Sequence, residues 1–122
     1  MAAPNILGAT SIYGKSLGQE LNTTTTVGIL TCASEKVLKI NSIIVANIDG
    51  SASATVTCNF YDSSMSRRNP IAYTIDVPAD STLVILGKDS PIYLEESDEI
   101  EAGASANGDL HMTIAYEELD DA

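Results

Sequence analysis

Seven carboxylates fall within VPADSTLVILGKDSPIYLEESDEIEAGAS, residues 77–105, against a single lysine, Lys88. Acids at this density can bind calcium, which takes about six to eight oxygen ligands, or divide into the acid and base of a glycosidase-type pair, one of them raised in pKa by an apolar pocket. Neither chemistry finds its pattern here. The run EESDEIE has no Asp-x-Asp-x-Asp-Gly loop. Read as an extended strand, it sets Glu95, Ser97, Glu99 and Glu101 on one face and Glu96, Asp98 and Ile100 on the other, so the ligands disperse. The role expected of these acids is a hydrated outer surface that keeps a β protein soluble and discourages edge-to-edge pairing.

Nucleophilic catalysis would need a base, a nucleophile and a group to orient them. The one histidine, His111, lies between Leu110 and Met112 and by alternation points away from the core. Cys32 and Cys58 both sit in apolar strand patterns as small buried thiols, so a pair of either with His111 would put the partners on opposite faces. Two cysteines give little evidence of a disulfide framework. The sequence has no phosphate-cradling glycine loop, no CxxC and no HExxH. The expectation is a non-enzymatic protein with no catalytic, cofactor or metal site.

The elements that carry these residues are β signals in close succession. TTVGILTCA reads as one strand. KVLKINSIIVANI is a longer one, with a bulge near Asn41 and Ser42, where the inward parity slips between Leu38/Ile40 and Ile43/Val45. Asp49 and Gly50 mark a turn. ATVTCNFYD alternates with Val56, Cys58 and Phe60 inward. PIAYTIDVP aligns Ile71, Tyr73, Ile75 and Val77 and stops at Pro78, which cannot donate to a ladder. STLVIL suits a central strand, PIYLEE and DEIEAGAS are short strands, and DLHMTIAYEEL closes the chain after a turn at ANGD. No stretch holds a 3.6-residue apolar period.

The reading is an all-β, two-sheet antiparallel sandwich, jelly-roll or Ig-like, of seven or eight strands. Val56, Phe60, Ile75, Leu83, Ile85, Leu110, Met112 and Ile114 are its expected core. With 122 residues, 44% hydrophobic and no tryptophan, the core rests on aliphatic side chains.

Residues 1–24 read differently. Ile6, Leu7, Ile12, Tyr13, Leu17 and Leu21 are thinly spread between Gly8, Gly14 and Gly18, with neither helical nor strict strand period. The expected division is an N-terminal arm over residues 1–24, whose six apolar residues order on a neighbour, and a sandwich domain over residues 25–122.

The formal charge of −11 argues against nucleic acid and against anionic membranes. No apolar run approaches the ~20 residues of a membrane helix, and MAAPNILGATSIYG lacks the charged start and apolar block of a signal peptide. A soluble protein is expected.

The pieces NILGATSIYGK, VLKINSIIVANIDGSASATVTCNFYD, TIDVPADSTLVIL and SPIYLEESDEIEAGASANGDLHMTIAYEEL together resemble small virion structural proteins of tailed bacteriophages, notably cyanophages and other marine phages. The likeness spans nearly the whole chain and rests on strand order and turn phrases. One position departs from it: the family pattern implies glycine where this chain has Ser97. The resemblance implies a β-sandwich subunit located in the virion, a capsid decoration or cement protein docked on the assembled head, or else a neck or tail component. Its implied partners are the major capsid protein or other virion proteins and further copies of itself. A receptor- or carbohydrate-binding module is the rival from another class, opposed by the scarcity of aromatic residues, with Tyr13, Tyr61 and Tyr93 the ones to place.

Overall fold

The computed structural model describes residues 11–120, and these residues are strands and turns with no helix among them. The strands are β1 (Ser11–Leu21), β2 (Val27–Thr31), β3 (Lys36–Asn47), β4 (Ala54–Asp62), β5 (Arg67–Val77), β6 (Thr82–Leu86), β7 (Ile92–Leu94), β8 (Glu99–Ala104) and β9 (Leu110–Asp120). The eight segments expected to be strands are strands. The ninth, β1, lies in the stretch read as an arm.

The sheets are antiparallel, with orders β1-β9-β3-β6 and β2-β8-β4-β5, and β7 pairs the same long strand β3 farther along. β1 pairs with β9, β2 with β8, β3 with β6 and β4 with β5. These four pairs are nested about the β4–β5 hairpin, so the chain is a doubled-over ribbon whose successive pairs fall alternately in the two sheets. That arrangement is the jelly roll. Of the two topologies left open by the sequence, the strand order selects this one.

Local chemistry explains the connections. β3 carries a register shift between Ile40 and Ser42, at the place where the sequence parity slips. The shift brings Ile40, Ile43 and Val45 all to the inner face, where each is fully buried. Asp49 closes the next turn by accepting from the Ser51 N–H at 2.9 Å and the Ser51 hydroxyl at 3.0 Å, and these bonds hold its carboxyl below the usual range. Gly108, at φ +83°, takes the left-handed position in the loop before β9 that a side chain would resist.

The core confirms Val56, Leu110, Met112 and Ile114, all buried, while Phe60, Leu83 and Ile85 are partly buried and pack at its margin. Ile75 is a correction, being 42% exposed. The β4–β5 pairing shifts register between Val56 and Cys58 and again between Cys58 and Asn59, and Thr74 has φ +47°. These irregularities break the alternation of Ile71, Tyr73, Ile75 and Val77: Val77 is buried, Tyr73 and Ile75 are exposed, and Ala72 rather than Ile71 stands opposite Cys58. β6 is also corrected, from a central strand to an edge with Val84 exposed.

Residues 11–21 correct the expectation of an arm without a strand of its own. β1 pairs with β9 from Ser11↔Asp120 to Leu21↔Leu110. The inward parity of β9 is that of Leu110, Met112 and Ile114, so β1 turns Tyr13, Lys15, Leu17, Gln19 and Leu21 to the same side. Polar residues alternate with apolar ones on that one face, which hides the strand period from a sequence reading. Leu21 is buried in the core and Leu17 packs against it, whereas Ile12 and Tyr13 are exposed. Ile6 and Leu7 lie outside the described residues.

Ile114→Ala should lower unfolding stability by about 2–5 kcal/mol, because an unfilled cavity adds to the lost transfer energy. Ile75→Ala should change it by less than about 0.5 kcal/mol. Urea unfolding of both variants measures the contrast, and a reversed order would put Ile75 back in the core.

Candidate functional site

The acidic stretch that opens the question of chemistry is not one extended strand. Leu94 ends β7, Glu95 to Asp98 form a turn, and only Glu99 begins β8. The turn closes through Asp98 N–H donating to the Glu95 carbonyl at 2.9 Å, with Ser97 at φ +71°. Strand parity therefore does not govern these residues. Ser97 stands in the left-handed region that favours glycine, the residue implied there by the phage likeness.

Asp98 turns inward and is 4% exposed. Its Oδ2 accepts from the Glu95 N–H at 3.0 Å, and its Oδ1 from the Ser63 N–H at 3.0 Å and the Ser63 hydroxyl at 3.2 Å. Its carbonyl accepts from Cys32 N–H, and the Cys32 carbonyl accepts from Ser97 N–H, each at 3.0 Å. Asp98 thus ties the β7–β8 turn to the β4–β5 connection through its carboxylate and to the β2–β3 connection through its backbone carbonyl, at one end of the sandwich. This is a structural lock with its acceptors occupied. Its only sequence signal was the expected glycine at Ser97.

Other carboxylates are also engaged. Glu101, nearly buried on β8, pairs with Arg68 of β5 at 2.9 Å, and the Arg68 guanidinium lies 4.9 Å from the centre of the Tyr61 ring. Lys36 of β3 reaches Asp120 at 2.9 Å and Glu118 at 3.5 Å, while Lys15 of β1 reaches Glu118 at 3.3 Å. The hydrogen bond to Asp120 leads the causes that raise the Lys36 pKa. Glu117 accepts from the Asn41 amide at 3.1 Å, and Glu96 from the Glu35 N–H at 2.9 Å. The C-terminal third, one-signed in sequence, receives basic partners from earlier strands, so the reading of a purely hydrated acidic surface is corrected. Among the described residues no three of His, Cys, Asp and Glu gather as a metal-binding group.

His111 pairs across to Glu20 on β1 and Ala46 on β3, on the face of β9 opposite to Leu110 and Met112. Cys58 is in the other sheet and Cys32 follows β2 rather than lying within it. The fold does not assemble a Cys–His pair. Both thiols are free and buried; burial pushes Cys32 up to about 11 and Cys58 up to about 12.

A concavity of about 250 Å³ lies over the smaller sheet and is lined mainly by hydroxyl residues, including Thr26, Thr55, Thr57, Thr74 and Ser105. Two of those hydroxyls are already acceptors, Thr57 for the Thr74 N–H at 3.1 Å and Ser105 for the Thr55 N–H at 2.8 Å. No aromatic ring lines it. Tyr61 is stacked under Arg68, and Tyr13 and Tyr93 stand on opposite edges of the larger sheet. The three tyrosines form no common stacking platform for a sugar.

The apolar residues proposed for partner contact divide three ways. Ile12 and Tyr13 are exposed at the start of β1, Leu17 and Leu21 join the core side, and Ile6 and Leu7 fall outside the described residues. The exposed pair sits at the same end of the larger sheet as the Lys36–Asp120 bridge.

No protein-family model matches the sequence, and no curated protein matches it. Two solved structures share its fold over most of both chains. One is from Bacillus endospore appendages, described as a family of disulfide-linked pili: TM-score 0.55, 14% identity, covering 92% of this chain and 90% of that one. The other is from the acid-stable capsid of Helicobacter pylori bacteriophage KHP30: TM-score 0.52, 10% identity, covering 93% and 91%. At these identities the likeness is one of fold.

Asp98→Ala should cost about 1–3 kcal/mol, since it removes the acceptor of the part-buried Glu95 and Ser63 donors. Ser97→Gly should be neutral or stabilising by up to about 1 kcal/mol by relieving the left-handed strain. Chemical unfolding of the pair tests the lock; a harmless Asp98→Ala would remove it.

The thiols give a pH test. Their folded pKa values are raised above the ordinary 9.0, so their contribution to stability is complete below pH 9.0 and is lost as pH rises through about 11 and about 12. A thiol reagent at pH 8 should label neither cysteine in the folded protein and both after unfolding. Rapid labelling of the native chain would place a thiol at the surface.

Proposed function

We propose that this chain is a non-enzymatic structural subunit of a bacteriophage virion, and within it a decoration or cement protein that docks on the assembled head. The observation that carries the reading is the fold: a jelly roll spanning the described residues, shared over most of its length with a phage capsid structure and with a pilus structure. Both of those proteins are built into repeating assemblies. The sequence likeness to small virion proteins of tailed phages points the same way, and the formal charge of −11 disfavours a place against packaged DNA. A subunit repeated over a lattice also turns a modest interface into firm attachment.

The docking contacts belong, in this reading, to the N-terminal segment, with Ile6, Leu7, Ile12 and Tyr13 facing the major capsid protein or another virion protein. Leu17 and Leu21 serve the subunit's own sheet instead. A neck or tail component is the second reading, favoured by the pilus likeness, in which the same fold builds a fibre.

Mass spectrometry of purified particles of the phage that encodes this chain should find it in many copies, and cryo-EM should place a jelly roll of this size on the outer head. Deleting residues 1–10 keeps β1 whole while removing Ile6 and Leu7; the shortened chain should melt as the full chain does and fail to join particles. Absence from particles overturns the virion reading, density at the neck or tail overturns decoration, and normal incorporation of the shortened chain moves the docking surface onto the sandwich.

A further inference from the structure

The four sheet edges of the jelly roll are not equally protected. β5 carries Arg67, Arg68 and Pro70, has two register shifts against β4, and holds Thr74 in a left-handed conformation. β2 has five residues and a shift between Gly28 and Leu30. The opposite edge of the larger sheet is divided between β6, with five residues, and β7, with three. Bulges, prolines, charges and short length are the devices by which β proteins block pairing with another chain.

Of these devices β1 has only two charges, Lys15 and Glu20. It is eleven residues long, contains no proline, and pairs with β9 along its whole length without a register shift. Among the described residues, nothing pairs with its other side.

We propose that β1 is a self-association edge, through which two copies of this chain join by antiparallel pairing of their β1 strands about a two-fold axis, making their larger sheets continuous. Edge pairing needs two open edges. Each subunit offers one such edge among its described residues, so the partner strand is the same strand of a second copy and the contact is isologous. This inference does not rest on the virion reading.

Charge permits this contact where it opposes most others. The chain is formally −11, which repels a second copy, yet β1 holds one Lys and one Glu. Residues directly opposed in an antiparallel pair share a face. With Leu17 opposite its own copy, Lys15 meets Gln19, Tyr13 meets Leu21 and Ser16 meets Gly18, so no like charges face each other directly. Leu17, only partly covered in the subunit, then gains an apolar neighbour.

Gly14 and Gly18 agree with this arrangement. Neither has a positive φ, and a Cβ on either would meet nothing within 4 Å. No turn and no packing inside the subunit asks for glycine there, while glycine within a strand weakens it and marks a place where another backbone approaches.

The test uses the purified full chain. Sedimentation or light scattering should show a mass rising from monomer to dimer between micromolar and millimolar concentration. Ser16→Asp/Gly18→Asp and Ser16→Lys/Gly18→Lys should each remain monomeric while melting cooperatively, and an equimolar mixture of the two should regain the dimer in a salt-sensitive way. A wild-type chain that stays monomeric throughout, either variant dimerising like wild type, or a mixture that stays monomeric would overturn the proposal. Where a charged variant does not melt cooperatively, Leu17→Cys decides: a disulfide-linked dimer under mild oxidation supports the pairing, and its absence overturns it.

Discussion

The pairing of β3 with β9 is the constraint from which the other strands take their places. It runs from Lys36↔Asp120 to Asn47↔Leu110 with one shift, between Ile40 and Ser42. Without that shift the two halves of β3 would present opposite faces to the second sheet, and either Leu38 and Ile40 or Ile43 and Val45 would be turned to water. With it, Ile43 lies beside Ile114 and Val45 beside Met112, all fully buried. β9 can then receive β1 on its free side, and β3 receives β6 and β7 on its own. The far end of β3 is fixed by Asn47, whose amide donates to the Ala52 and Val77 carbonyls and whose oxygen accepts from Asp49 N–H. That side chain joins the turn after β3 to the end of β5 in the other sheet.

Acid placement follows from the same topology. Nested pairing brings strands from the two ends of the sequence side by side, so Lys15 and Lys36 reach Glu118 and Asp120, while Arg68 reaches Glu101 across the intervening β4. The acidic C-terminal third thus finds its partners only in the folded chain. These bridges are largely solvent-exposed on the basic side, and such pairs contribute little stability individually. Their effect here is on geometry: the Lys15–Glu118–Lys36 contacts cross β1, β9 and β3 and hold the edge strand against its neighbours. Asp98 is different in kind, because its buried carboxylate accepts three bonds from two connections while its carbonyl accepts from a third, which together specify one arrangement of the three.

Much of this was legible in the sequence. Regular alternation in ATVTCNFYD and LHMTIAYEEL, turn chemistry at Asp49 and Gly108, and the parity slip near Asn41 all report local geometry, and the structure keeps them. The failures share a cause. β1 was hidden because an edge strand has little to bury: Lys15 and Gln19 occupy the same face as Leu17 and Leu21 without penalty. Ile75 was misplaced because two shifts and a left-handed threonine follow from how β5 meets β4, which residue types do not encode. STLVIL looked central because its apolar content is high, yet a strand's neighbours are set by the whole topology. The Asp98 lock was invisible because it draws on three loops far apart in sequence.

A fold of this kind leaves its surfaces unusually free. Ladder pairing within two sheets satisfies most of the backbone, and the interior asks only for aliphatic side chains of suitable volume on alternate positions. Those demands can be met by many sequences, which is how the same arrangement persists at 10–14% identity in a phage capsid structure and a pilus structure. The core therefore says little about use, and specificity must reside in what the core does not fix: the loops, the outer faces and above all the edges. In this chain the edges divide into three that are bulged, charged or short and one that is long and regular. An unprotected edge persists in a soluble β protein only where its pairing is useful or harmless, since an edge with neither property invites aggregation. That asymmetry, set by the residues of this particular chain rather than by its fold, is what the proposed pairing of β1 rests on.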